Sequence, residues 1–229
     1  MQRVRGVHGG SFKQLVPALQ RWTRIMEDPE FWRGNSGPDD AAWWYNERAL
    51  LSLFAGAIWT SKGWAFEEFA TTKRQRVARK GKQRKDGARG DLEFWWPSSN
   101  TVFLCEAKRA ELSLRVSARK LRKRIGAELD ECVADVRCHP RRQGARRVGL
   151  LFVAPYLARG ASNRNQLNKD ECDYLKAFGK LLHGLSSDWG CAVAWTFPGM
   201  FPRPKGILPS LGTRAYPGTA VVLADANGF

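Results

Sequence analysis

The 229-residue chain is 43% hydrophobic and 11% aromatic, enough apolar matter for one substantial core. A formal charge of +16 and a pI near 10.2 point to a polyanionic partner, nucleic acid ahead of an anionic membrane. The longest apolar stretches, Ala49 to Trp59 and Val148 to Ala158, are too short to span a bilayer, and the basic first residues have no apolar run behind them. No membrane partner and no secretory signal are expected, which places the protein in the cytoplasm.

In chain order, Phe12, Leu15, Leu19, Trp22 and Met26 recur at helical spacing between Ser11 and Glu27, and the Gly- and Pro-bearing run FWRGNSGPDD breaks the pattern. Pro38-Asp39-Asp40 reads as the start of a second helix, whose apolar stripe (Trp43, Trp44, Leu50, Leu51, Phe54, Ile58) continues to Trp59, with Gly63 as a stop. A strand is predicted over Trp64 to Thr71. The run from Lys73 to Arg89 holds nine Lys or Arg against the single acid Asp86, and so cannot pack inside.

Two further strands, Asp91 to Trp96 and Thr101 to Arg109, flank the turn residues Pro97-Ser98-Ser99-Asn100 and predict a β-hairpin. Leu114, Ala118, Leu121, Ile125, Leu129, Cys132 and Val136 then mark an amphipathic helix over about Ser113 to Arg137. A strand (Val148 to Pro155), a helix (about Lys169 to His183) and two more strands (Cys191 to Phe197, Thr219 to Ala224) complete the order. The fold class implied is α/β, a mixed sheet flanked by helices, in one domain: an N-terminal helix and linker over 1–38, a core over 39–198 and a C-terminal extension over 199–229.

Five scattered cysteines without a Cys-x-x-Cys pair argue against disulfides and a zinc knuckle. Cys132, Cys138 and His139 lack the usual zinc spacing, so buried free thiols are expected. None of His8, His139 and His183 reads as catalytic from its context.

Chemistry concentrates on the hairpin. Residues two apart on a strand share a face, which sets Glu106 and Lys108 side by side. A turn centred between Ser98 and Ser99 sets Asp91 opposite Glu106 on the neighbouring strand. Two adjacent carboxylates repel unless a cation lies between them, and oxygen ligands favour a hard divalent ion, Mg²⁺ first.

Gly90-Asp91, fourteen residues, then Glu106-Ala107-Lys108 resembles the PD-(D/E)XK motif of restriction-endonuclease-like nucleases, with Gly90 in place of the motif's proline. The helix, strand, hairpin and helix from about Asp40 to Arg137 follow that superfamily's order. The resemblance implies a restriction-endonuclease-like fold with an αβββαβ core and metal ligation by Asp91 and Glu106, helped by the Ala107 carbonyl. It further implies that Lys108 orients or deprotonates the attacking water and offsets phosphate charge. Relatives often add an acid from the first core helix, and Glu47 fits, with Leu50, Leu51 and Phe54 at its i+3, i+4 and i+7 positions. Glu93, Glu67, Glu68 and Glu128 are weaker candidates.

Of the 38 basic residues, 22 lie in three runs flanking the motif: Lys73 to Arg89, Lys108 to Arg124 and Arg137 to Arg147. Lys73, Arg74, Arg76, Arg79, Lys80, Lys82, Arg84, Lys85, Arg89, Arg119, Lys120 and Lys123 are the expected phosphate contacts. Trp95 and Trp96 beside Asp91 could touch bases. The expectation is a Mg²⁺-dependent endonuclease acting on DNA, double-stranded first, with Mn²⁺ able to substitute. Because cutting both strands of a duplex often takes two active sites, a homodimer is one arrangement. Alternatives are an inactive basic nucleic-acid-binding module, an RNA- or junction-directed nuclease, and a basic scaffold subunit.

Overall fold

Successive residues of a strand point to opposite faces, and the apolar runs of this chain are long enough to feed a core on each side of one sheet. The computed structural model describes residues 5–28, 46–69, 90–158, 167–198, 210–211 and 214–228. Its elements are β1 (Arg5–His8), a 3-10 turn (Gly10–Leu15), α1 (Val16–Glu27), α2 (Glu47–Thr60), β2 (Trp64–Glu67), β3 (Leu92–Trp96) and β4 (Thr101–Ser113). They continue with α3 (Ala118–Arg137), β5 (Ala145–Ala158), α4 (Lys169–Trp189), β6 (Ala192–Thr196), β7 (Ser210–Leu211), β8 (Arg214–Ala215) and β9 (Thr219–Asp225).

The sheet runs β1-β6-β9-β5-β4-β3-β2, with the short β7 and β8 attached at the end of β5. Among the described strands only β4 and β5 pair in parallel, from Val102 opposite Ala145 to Ser113 opposite Tyr156, across the α3 connection. The other pairs are antiparallel, so the sheet is mixed. The late strand β9 lies inside it, between β5 and β6.

One core joins Leu19 and Trp22 of α1 and Leu50, Phe54 and Ile58 of α2 to Phe94, Phe103, Cys105 and Phe152 of the sheet. The other joins Leu121, Ile125 and Leu129 of α3 and Leu175, Phe178 and Leu182 of α4 to Leu151, Val153, Val193 and Val222. Phe54 packs edge-on to both Phe94 and Phe152, and Phe94 stacks on Phe103 with centroids 4.7 Å apart. This aromatic wedge locks α2, and with it the start of that helix, against the hairpin; truncating one such ring costs about 3–5 kcal/mol.

Several boundaries differ from the expectation: β5 extends beyond Val148 and Pro155 to Ala145 and Ala158, and α4 runs past His183 to Trp189. The strand expected to reach Thr71 ends at Glu67, because Glu68 turns into the left-handed region (φ 52) and its N–H bonds the Asp91 carbonyl. The hairpin's second strand passes Arg109 to Ser113, held by β5 along its whole length, so α3 starts only at Ala118, capped by the Ser117 side chain. The second helix begins, among the described residues, at Glu47, where the Asn46 side chain accepts the Ala49 N–H; the predicted start at Pro38 and the residues Trp43 and Trp44 lie outside them. β1, β7 and β8 were not foreseen. Among the described residues no helix is long and apolar enough to cross a membrane.

Candidate active site

The hairpin turns where the residue pattern predicts. Leu92 opposes Cys105 and Trp96 opposes Thr101, which centres the turn between Ser98 and Ser99 and, one step further, brings Asp91 level with Glu106. Asn100, in the left-handed region at φ 46, closes it.

β3 stops at Leu92 while β4 runs on for eight residues past Cys105, and this difference in length creates the site. On the side that β3 has vacated, the N–H groups of Ala107 and Arg109 face outward with no described strand to meet them, and edge groups of this kind demand acceptors. Asp91 Oδ2 accepts from the Ala107 N–H at 2.7 Å. Glu47, at the first turn of α2, accepts from the backbone N–H of Arg109. Two carboxylates, one from the residue before β3 and one from the start of α2, are thereby set next to each other along one strand edge. The Ala107 carbonyl leaves the strand on the same side as its N–H and so belongs to the same edge.

Crowding of charge shows in Glu47, whose carboxyl is pushed up to about 7 by burial first and by Asp91 second, with Glu106 adding to the rise and Lys108 and the Arg109 N–H opposing it. Glu106 is 5% exposed and faces the α3 side, where the His139 Nε2 hydrogen-bonds its Oε1. The sequence context of His139 gives no sign of a catalytic role; 33 residues separate it from Glu106, and no spacing rule connects the two. It is correctly placed only because α3 ends at Arg137 and delivers the next turn to the sheet.

Lys108 shares the face of Glu106 but is engaged. Its Nζ lies 2.9 Å from Glu131 and 3.4 Å from Asp135, both on α3. Burial alone would lower its proton affinity, yet the hydrogen bond from Nζ to Glu131 and the charge of Asp135 win, and the ammonium is held above its ordinary value. Glu128, the acid proposed from α3, stays half-buried one turn earlier on that stripe. Its i+3 and i+7 neighbours, Glu131 and Asp135, are the ones that reach the site.

Gly90 has its own reason for not being proline. Its N–H donates to the Phe69 carbonyl at 3.0 Å, and a Cβ on it would lie 2.2 Å from the Phe69 ring and 3.0 Å from His139 Cε1. Phe69 in turn stacks on the His139 ring, 5.7 Å between centroids. The weaker acids have other engagements: Glu93 with Arg142 at 2.8 Å, Glu67 with the Ser52 hydroxyl at 2.8 Å and Glu68 with Arg48.

The carboxylates and the backbone carbonyl are hard oxygen donors, the chemistry that suits Mg²⁺ or Mn²⁺. As they stand, no group of three or more His, Cys, Asp or Glu among the described residues is gathered to hold a metal ion. Cys132 and Cys138 turn their thiols to the carbonyls of Leu150 and Ala134, away from any shared centre with His139. All five cysteines are free, four of them buried.

No family model, no curated protein and no solved structure matches this chain.

Of the expected phosphate contacts, Arg119, Lys120 and Lys123 are exposed on the first turns of α3; Lys73, Arg74, Arg76, Arg79, Lys80, Lys82, Arg84, Lys85 and Arg89 lie outside the described residues. Behind His139 a second basic group forms, in which burial and then the charges of Arg141 and Arg137 lower the proton affinity of Arg147. Trp96 is buried, and the half-buried Trp95 donates its indole N–H to the Asn100 side chain. Among the described residues the exposed rings are Tyr174 on α4 and a group at the edge strand β2, Trp59, Trp64 and Phe66, with Trp59 stacked on Trp64.

Proposed function

We propose that this protein is a metal-dependent nuclease on a restriction-endonuclease-like scaffold, hydrolysing DNA phosphodiesters. The observation that carries the reading is the open edge of β4, where Asp91 and Glu47 cap successive outward N–H groups beside Glu106 and Lys108. A sheet edge needs acceptors, but it does not need two neighbouring carboxylates, one of them raised to about 7 by burial and then by the charge of the other. A bound cation would relieve that crowding.

Asp91, Glu106 and Glu47, with the Ala107 carbonyl, are the groups that would hold the ion, after a small closure of the kind substrate binding commonly brings. The ion would supply a water nucleophile at neutral pH and Lewis-acid stabilisation of the phosphoryl oxygens. Lys108, fixed by Glu131 and Asp135, places a positive charge where phosphate charge develops. His139 orients the Glu106 carboxylate. The basic residues along α3 neutralise the backbone that approaches, and the exposed rings beside β2 offer stacking faces for unpaired bases.

The test is incubation of the full chain with plasmid, linear and single-stranded DNA and with RNA, in Mg²⁺, Mn²⁺ or EDTA. Cleavage should require the metal, and Asp91→Ala and Lys108→Ala should each lower it by about 100-fold or more. Equal cleavage by all three proteins would sink the assignment. A second reading rests on the engagement of Lys108 by two acids: the same scaffold could bind nucleic acid without cutting it. Retained binding with no metal-dependent cleavage of any substrate would decide for that reading, and preferred cleavage of RNA would change the substrate class.

A further inference from the structure

A separate basic site lies four strand positions from β4, about 19 Å across the sheet. There β1, β6 and α4 border an open hollow of about 280 Å³ lined by Arg5, His8, Lys176, Lys180, His183 and Trp195. No acid lines it among the described residues. Arg5 is held at 3.0 Å by Glu27 of α1, and Lys176 is paired along its helix with Asp173, so the acids stand behind or beside the cations and leave the wall itself positive.

The aromatic lining is stacked in order. The His183 and His8 ring centroids are 4.1 Å apart, and His8 lies nearly parallel on Trp195 at 5.5 Å. Trp195 is 6% exposed, and its Nε1 donor is buried without an acceptor, an unusual state for an indole. Gly6, across from Trp195 in the sheet, makes room for the ring, since a Cβ there would lie 2.3 Å from it. The fold thus gathers two imidazoles and three cationic side chains around one hollow against the Trp195 ring, with the acids of Arg5 and Lys176 outside the lining. An anion with several acceptor oxygens complements such a wall.

We infer that this hollow binds a phosphate group, carried by a free nucleotide or by a nucleic-acid strand passing the far edge of the sheet. Neither Asp91 nor Lys108 contributes to it, so loss of the nuclease reading would leave it standing.

Affinity should rise as pH falls through the imidazole range. Burial and the neighbouring His183 hold His8 below its ordinary value, and a bound phosphate returns the proton. The charged groups facing the imidazoles are Arg5 on β1 and Lys176 and Lys180 on α4, with Glu27 and Asp173 behind them; β6 contributes Trp195 and no charge.

The chain has only three histidines, so imidazole NMR reads the site directly. Inorganic phosphate, deoxyadenosine monophosphate and a short oligodeoxynucleotide are titrated into the full chain at pH 6 and pH 8. The His8 and His183 signals should shift, more tightly at pH 6, while His139 stays in place for phosphate and the mononucleotide. Lys180→Ala and His183→Ala, both exposed positions on α4, should weaken binding by about tenfold. Tighter binding of the oligonucleotide that depends on these two residues would mark a strand-binding subsite, and tighter binding of the mononucleotide a nucleotide site. Unmoved His8 and His183 signals at millimolar phosphate, or equal affinity in both variants, would overturn the proposal.

Discussion

At Glu47 the site's electrostatics become measurable as stability. The folded carboxyl keeps its proton up to about pH 7, whereas an unfolded one releases it near 4.5. Folding therefore takes up a proton between those values, and the stability this provides is full below about 4.5 and is lost as pH rises through 7. Glu47→Gln cannot ionise, so the wild type should lose about 1–2 kcal/mol relative to it between pH 4.5 and pH 8, a figure reduced for the partly exposed position. Urea denaturation at the two pH values checks this; an unchanged gap would show that burial and the neighbouring Asp91 do not raise the Glu47 carboxyl. Gly90 gives a second residue-scale prediction. Proline there removes the N–H bonded to Phe69 and drives a Cβ into its ring, so Gly90→Pro should destabilise by about 3 kcal/mol or more, and Gly90→Ala by less because it keeps the N–H. Chemical denaturation of the pair would separate the steric from the hydrogen-bond contribution.

The site depends, among elements, on unequal lengths: β4 outruns β3, and the carboxylates of Asp91 and Glu47 take the place of the missing partner strand. The hairpin register could be read from the sequence because turn chemistry and alternation are local, and Pro97 to Asn100 fix the pairing once the turn is centred. The helical stripes of α1, α3 and α4 were legible for the same reason. What could not be read was set by distant partners. Nothing near Arg109 says that β5 will carry β4 on to Ser113, and nothing near His139 says that it will meet Glu106. The short strand β1 shows no alternating pattern of its own and exists because β6 offers an edge. Glu131 and Asp135 could have been found, since both lie a turn or two from Glu128 on a stripe already recognised. The α3 end matters for Glu106, a nearly buried carboxylate. His139→Ala would remove the hydrogen bond at the Glu106 Oε1 and should cost about 3 kcal/mol, while His139→Gln, able to donate one hydrogen bond, should recover part of it. Equal loss in the two variants, measured by thermal or urea unfolding, would mean that His139 acts by packing against Phe69 and not through Glu106.

For the whole molecule the governing quantity is the charge of +16, too large to be an incidental surface property, with 22 of the 38 basic residues in runs that flank the motif in the sequence. If nucleic acid is the partner, binding is driven by release of the counterions condensed on its backbone, and the logarithm of the association constant falls linearly with the logarithm of salt concentration. A surface that neutralises about six phosphates gives a slope near −5, so affinity should drop by about a thousandfold between 50 and 200 mM salt. Arg119, Lys120 and Lys123 stand exposed on α3, the same helix that anchors Lys108, and changing all three to Ala should flatten the slope by about three units without altering unfolding stability. Fluorescence anisotropy with a labelled duplex, repeated across a salt series, measures both slopes. The result also discriminates between surfaces: if the triple variant keeps the wild-type slope while Lys180→Ala reduces it, the strand runs past the β1 edge of the sheet instead of along α3. A slope near zero in the wild type would mean that the excess charge meets some partner other than a polyphosphate backbone, and the nuclease reading would fall with it.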